Sequence, residues 1–306
     1  MREFPASKLP SAVWRLKGLA AAVVVLLLAS CSALKLTYNN AEIAIRWKAQ
    51  AYFDLQGAQN ADFRARLARF HAWHRSQELP RYEALARQAS VRMADGLSAE
   101  DLTWATQALR ERYRMLMQRT ADEAAPVLAT LTAPQLEHLE KEFADNNRKF
   151  ARKYLSGSEE KQLKERIQRM REQLSEWTGA LSPEQEVRVV ALVQATPSLS
   201  QHRLDDHKLQ QQRFLELLRS GRSPEQLAVG LRDLLQNIEL RRPPAYAAAM
   251  REAEPRFMRF LIDMDKTLTP TQRKNVMQRF ADYAVDFHIL GGKGAPNSAA
   301  VEATSG

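Results

Sequence analysis

With 306 residues, 45% of them hydrophobic and 26% charged, the chain can bury one large core or two ordinary ones, and disorder throughout is excluded. Only 11 glycines and 13 prolines, set against abundant Ala, Leu, Gln, Glu and Arg, argue against a β-sandwich or a glycine-rich nucleotide-binding enzyme and predict an all-α protein. A single cysteine rules out an internal disulfide, a CxxC redox pair and a cysteine-rich zinc site, so its position must carry its meaning.

That position follows an export signal. Arg2, Lys8, Arg15 and Lys17 precede an uncharged apolar stretch from Leu19 to Leu28, too short for the ~20 helical residues that span a bilayer. Leu28, Ala29, Ser30 and Cys31 then resemble the bacterial lipobox, which implies acylation of Cys31 and a mature chain starting there. Removing residues 1–30 takes away four basic residues and one acid, leaving 276 residues with 41 basic and 35 acidic side chains, a balance of +6. By resemblance to enterobacterial lipoproteins, the absence of Asp at Ser32, next to the cysteine, implies sorting to the outer membrane, with the body facing the periplasm.

Further along, helix starts are punctuated by reciprocal capping boxes: Ser98 with Asp101, Thr132 with Gln135, Ser182 with Gln185, Ser223 with Gln226, and Thr269 with Gln272. Pro183, Pro224 and Pro270 stand at first helical positions, where a missing N–H costs nothing. Gly96, Gly157, Gly179, Gly221 and Gly291 are placed to stop helices in the left-handed conformation. Between these marks the apolar period is helical: Leu163, Ile167, Met170, Leu174, Trp177 and Leu181; Leu227, Leu231, Leu234 and Ile238; then Tyr246, Met250, Ala253, Phe257, Phe260, Met264 and Leu268, with a kink expected at Pro255. The expected architecture is a helical bundle or a stack of helical hairpins, elongated in the second case. It divides into a signal peptide (1–30), an N-terminal helical region (31–195), a C-terminal helical region (196–290) after the Thr196, Pro197, Ser198 break, and a disordered tail (291–306).

Candidate chemistry is sparse. His71, His74 and Glu78 fall at helical spacing in HAWHRSQE, either as ligands on one helix face or as partners for neighbouring helices. A metal site also needs ligands from a second element, none is identifiable, and no metal is assigned. His202 with Asp206 repeats that spacing and reads as a solvated surface. Asn146 and Asn147 interrupt the stripe of Leu136, Leu139, Phe143, Phe150 and Tyr154, so buried amides either fix helix register or face a ligand. Trp47, Tyr52 and Phe53 are large aromatics close in sequence to the lipid, suited to a core or to a membrane interface. GxSxG, HExxH, P-loop and dinucleotide fingerprints do not occur, so no catalytic residue and no cofactor are assigned. Arginines interleaved with acids, as in RARLARF and KERIQRMREQ, form solvated faces, and nucleic acid is not an expected partner.

Two resemblances add to this. The segments YNNAEIAIRW, YFDL, WHRSQELPRY and NNRKFARKY, through Tyr38, Asn39, Trp47, Asp54, Leu55, His74, Leu79, Pro80, Tyr82, Asn147 and Tyr154, resemble an uncharacterised family of proteobacterial lipoproteins, which implies export, lipidation and helices but brings no activity. LTAPQ at 131–135, LSPEQ at 181–185 and LTPTQ at 268–272 are similar to the LTxxQ motifs of periplasmic stress adaptors and Spy-type chaperones, although capping chemistry alone generates the same pattern. The expectation is a non-enzymatic outer-membrane lipoprotein that binds or scaffolds, with an envelope protein, lipid or peptidoglycan as partner. The alternatives are an LTxxQ-like chaperone and a cell-wall hydrolase.

Overall fold

A computed structural model describes residues 34–292; the segment read as an export signal, Cys31 and the tail from 293 onward lie outside the described residues. Residues 34–39 are helical. Eleven α-helices follow: α1 (Ala41–Phe53), α2 (Gly57–Trp73), α3 (Leu79–Arg92), α4 (Ala99–Leu128), α5 (Ala133–Tyr154), α6 (Glu159–Thr178), α7 (Pro183–Ala195), α8 (Ser200–Arg219), α9 (Pro224–Gln236), α10 (Pro244–Asp265) and α11 (Pro270–Gly292). A π-helical turn, His74–Glu78, joins α2 to α3, and a 3-10 turn, Glu239–Arg241, follows α9. No strand occurs among the described residues.

All five predicted capping boxes form, and Pro183, Pro224 and Pro270 open their helices. Gly96, Gly157, Gly179 and Gly221 adopt positive φ after their helices, as expected. Gly291 does not: α11 runs through it to Gly292, because its backbone lies against Arg75, Leu79 and Pro80 and packing carries the helix past the expected stop. Pro255 is accommodated inside the continuous α10.

Residues 42–292 belong to one compact unit built from helix pairs. The 30-residue α4, about 45 Å long, lies antiparallel to α9: Tyr113 Oη donates to the Leu235 carbonyl at 3.0 Å, and Arg232 Nε, earlier on α9, donates to Asp122, later on α4, at 2.7 Å. Ala121 and Ala125, completely buried, let α9 bring Leu227 and Leu231 against them, an approach larger residues would prevent. A second cluster joins α6, α7 and α10 through Val189, Val193, Phe260 and Met264, packed against the predicted stripe residues Leu163, Ile167, Met170 and Leu174. Burying each such side chain contributes about 1.5–3 kcal/mol. A third cluster, Ala49, Leu55 and Val127, seats α1 and the start of α2 on the end of α4.

Helices from either side of residues 196–199 pack together. Phe143 on α5 meets Phe214 on α8, and α3 lies antiparallel to α11, with Glu83 opposite His288 and Arg273 donating to the Met93 carbonyl. At the end of that last pair, buried Asp265 accepts two hydrogen bonds from Arg273 and one from the Leu97 N–H at 2.8 Å, clipping the α3–α4 loop to the α10–α11 turn.

Candidate functional site

Polar groups converge at two kinds of place, and the first is the π-helical turn. Pro80 has no N–H to offer the fourth residue back and its ring crowds that carbonyl, so a regular helix cannot pass unchanged. The Leu79 N–H bonds instead to the His74 carbonyl, five residues back, and the turn widens. Within it Glu78 is completely buried, accepting from Arg81 Nη1 at 3.1 Å and from Arg112 Nη1 of α4 at 3.4 Å. Tyr82 stands edge-on to His74 at 5.5 Å and to Phe287 of α11 at 5.7 Å. Burial, then the Glu78 charge, raises the Tyr82 pKa. Burial, then neighbouring His71, lowers that of His74 to about 4, so its ring is neutral at pH 7.

The three residues expected on one face therefore turn to three neighbours. His71 Nδ1 meets Glu42 of α1 at 2.7 Å, His74 joins the aromatic contacts toward α11, and Glu78 holds the arginines. Among the described residues no group of three or more His, Cys, Asp or Glu is placed to hold a metal ion. The second pair separates too: His202 stacks on Tyr246 at 5.9 Å, while buried Asp206 accepts from Gln210. Of the two amides, Asn147 Nδ2 crosses to Gln211 of α8 at 2.7 Å, a register contact between α5 and α8, whereas Asn146 bonds to the Glu142 carbonyl of its own helix. Tyr52 and Phe53 pack inward, on Phe143 and in the α1–α2–α4 cluster, but Trp47 points away from the core and is 75% exposed.

The second kind of place is a pair of glutamine clasps. Gln185 Oε1 accepts from the Ser182 N–H at 2.9 Å and Gln272 Oε1 from the Thr269 N–H at 3.0 Å, which is the predicted capping. The same two amides also bond reciprocally, each Nε2 to the other Oε1 at 2.9 Å. The remaining Nε2 hydrogens go to carbonyls two residues before the partner's cap, Gln185 to Thr267 at 3.1 Å and Gln272 to Ala180 at 2.8 Å. Each amide thus uses both donor hydrogens and both oxygen lone pairs, and neither side chain is more than 6% exposed.

An equivalent clasp joins the start of α2 to the start of α5. Gln59 and Gln135 bond reciprocally at 3.1 and 2.8 Å, accept from the Gln56 and Thr132 N–H groups, and donate to the Thr130 and Asp54 carbonyls, again two residues before the partner's cap. Asp54 adopts φ of 45°, a left-handed conformation that Asp tolerates, and it is this residue whose carbonyl receives Gln135. The Ser or Thr pattern of a capping box does not mark this motif, because Gln56 stands at the cap. The signal that could have found it is the Leu-x-x-x-Gln spacing of Leu55 and Gln59, shared with 131–135, 181–185 and 268–272.

No curated protein and no solved structure matches the chain. Residues 51–247, which include the Gln59–Gln135 clasp and the π-helical turn, match a family of unknown function, DUF6279, and the chain belongs to that family.

Proposed function

We propose that this protein is a lipid-anchored lipoprotein of the outer membrane, its helical body facing the periplasm in a non-enzymatic binding or scaffolding role. The anchor rests on the residues: a basic start, a short apolar run and the only cysteine at the lipobox position. Anchoring by more than one acyl chain is stable, since each buried methylene contributes about 0.8 kcal/mol. The scaffolding role is carried by one observation, that four glutamine amides pair across helices in two saturated clasps joining helix starts 76 and 87 residues apart. Such saturation fixes a framework and leaves those amides no capacity for a ligand.

Radiolabelled palmitate should enter the wild-type protein and not Cys31→Ala; equal labelling of both would overturn the anchor. Cross-linking the lipidated protein in envelopes and identifying what is captured names the envelope protein, lipid or peptidoglycan partner. Release of soluble muropeptides from purified sacculi would overturn the non-enzymatic reading.

A second reading, an LTxxQ-like periplasmic chaperone or stress adaptor, is favoured by a specific observation. Capping requires a glutamine to turn back on its own helix; it does not require two motif copies to bond to each other, as Gln185 and Gln272 do. Suppression of aggregation of an unfolded client at substoichiometric to equimolar ratio supports this reading, and its absence leaves the scaffold.

A further inference from the structure

The outward face of α1 reverses the usual pattern of a surface helix. Toward the body, α1 buries Ala49, packs Phe53 and sends Glu42 to His71. Away from it, where polar residues are expected, stand Ile43, Trp47 and Ala51 at successive helical turns, with Ala44 beside them. Trp47 is 75% exposed and Ile43 42%. Lys48 lies exposed next to this row, its ammonium 5.6 Å from the centre of the Tyr52 ring, Arg46 is half-buried on the same turn, and residues 43–51 contain no acid.

We infer that this face of α1 lies on the surface of the phospholipid bilayer, with Trp47 seated at the interface and Lys48 toward lipid phosphates. Tryptophan carries an apolar body with a polar N–H and collects at the boundary between hydrocarbon and water. A basic, acid-free flank complements anionic headgroups, whereas it would contribute nothing to a purely apolar contact. The inference rests on acylation of Cys31: nine residues lie between that cysteine and Ala41, and such a span reaches at most about 35 Å, so an anchored protein cannot carry α1 far from the membrane. Trp47 is thereby the second, non-covalent contact of a protein whose first is its lipid.

The test uses the full mature protein in two forms, acylated and reconstituted in vesicles containing phosphatidylglycerol, and as unacylated Cys31→Ser added to the same vesicles. Lipids brominated near the headgroup end of the acyl chain should quench tryptophan fluorescence in the acylated protein, and Trp47→Ala should abolish that quenching while its circular dichroism remains unchanged. Because Trp47 makes little contact with the core, the variant should fold; Ile43→Ser, which keeps all tryptophans, should weaken quenching in parallel. Quenching undiminished in Trp47→Ala, or none in the acylated wild type, overturns the inference. Concentration-dependent self-association that is lost in Trp47→Ala, without lipid quenching, would make the face a contact between copies and overturn it equally. The two readings fail separately. Palmitate incorporation without Trp47-dependent quenching leaves the lipoprotein and removes the interfacial face, whereas Trp47-dependent quenching of the unacylated chain, with no palmitate incorporated in cells, does the reverse.

Discussion

Changing Gln185 to Glu separates a cap from a clasp. A glutamate at the third helical position is as good a partner for Ser182 as a glutamine, because the bond made by the Ser182 N–H needs only an acceptor. Were Gln185 only a cap, Gln185→Glu would be close to neutral. In the clasp the lost Nε2 donates to the Thr267 carbonyl and to Gln272 Oε1, each bond contributing about 1 kcal/mol. Its replacement sets an acceptor against two acceptors at a side chain with 0% exposure, so the carboxyl must take up a proton or leave those groups unsatisfied, a further cost of about 1–2 kcal/mol. The expected loss is about 3–4 kcal/mol, on the order of 10 °C in Tm for a chain of this size. The control is built into the protein: Gln226 occupies the same Ser-Pro-Glu-Gln sequence, caps Ser223, and is exposed. Gln226→Glu should stay within about 0.5 kcal/mol of wild type. Urea unfolding of both variants, followed by circular dichroism, decides the matter; equal stability of Gln185→Glu and Gln226→Glu would refute the clasp as a stabilising element. A double-mutant cycle of Gln185→Ala and Gln272→Ala should then show a coupling of about 1–3 kcal/mol.

Thr132→Ala, Ser182→Ala and Thr269→Ala should each lower stability by about 1 kcal/mol, and Asn at the same sites by little, as read from thermal unfolding; a stably folded Asn variant that loses client protection would give these sites a role beyond helix initiation. Glu78→Ala removes the acceptor that Arg81 and Arg112 share and leaves Arg112, only 12% exposed, with Glu111 as its remaining acid, so it should cost about 1–3 kcal/mol in urea titrations, with a cost below about 0.5 kcal/mol contradicting the buried pair. Stability should also fall as pH drops from 6.5 toward 4. The His74 pKa is about 4 in the fold against 6.5 unfolded, so the unfolded chain binds the extra proton in that window, and the contribution is fully present only above 6.5. Its ceiling is about 3 kcal/mol, reduced to about 1–2 by the solvent that reaches the ring. Asp101, held below the usual carboxylate range by hydrogen bonds from Ser98 and then Arg92, titrates lower still, so His74→Phe should flatten the slope between pH 5 and 6.5 in denaturation curves.

What could be read from the chain alone was whatever is decided within one helix. Ser98 and Asp101 find each other across three residues, Pro183 needs only a first turn, and Leu163, Ile167 and Met170 declare their face by spacing, whichever helix later covers it. The π-helical turn lay at the edge of legibility: Pro80 marked a disturbance, but only the packing of α4, α1 and α11 around it decided that Glu78, His71 and His74 would point to different partners. The clasps lay beyond it, and the repeated Ser-Pro-Glu-Gln shows why. At 182–185 and at 223–226 the four residues are identical and both make the box, yet only the first crosses to another helix. The distinguishing residue precedes the cap: Leu181 packs into the α6–α7–α10 cluster and draws its loop inward, where an amide must find partners, while Arg222 is exposed and leaves its loop in water. Leu55 and Leu131 likewise precede clasped glutamines and enter the cores under the Gln59–Gln135 clasp. The leucine of Leu-x-x-x-Gln therefore carries the tertiary information that the capping residues lack, because burial of the loop, and not the hydrogen-bonding capacity of the glutamine, determines whether the amide serves one helix or two.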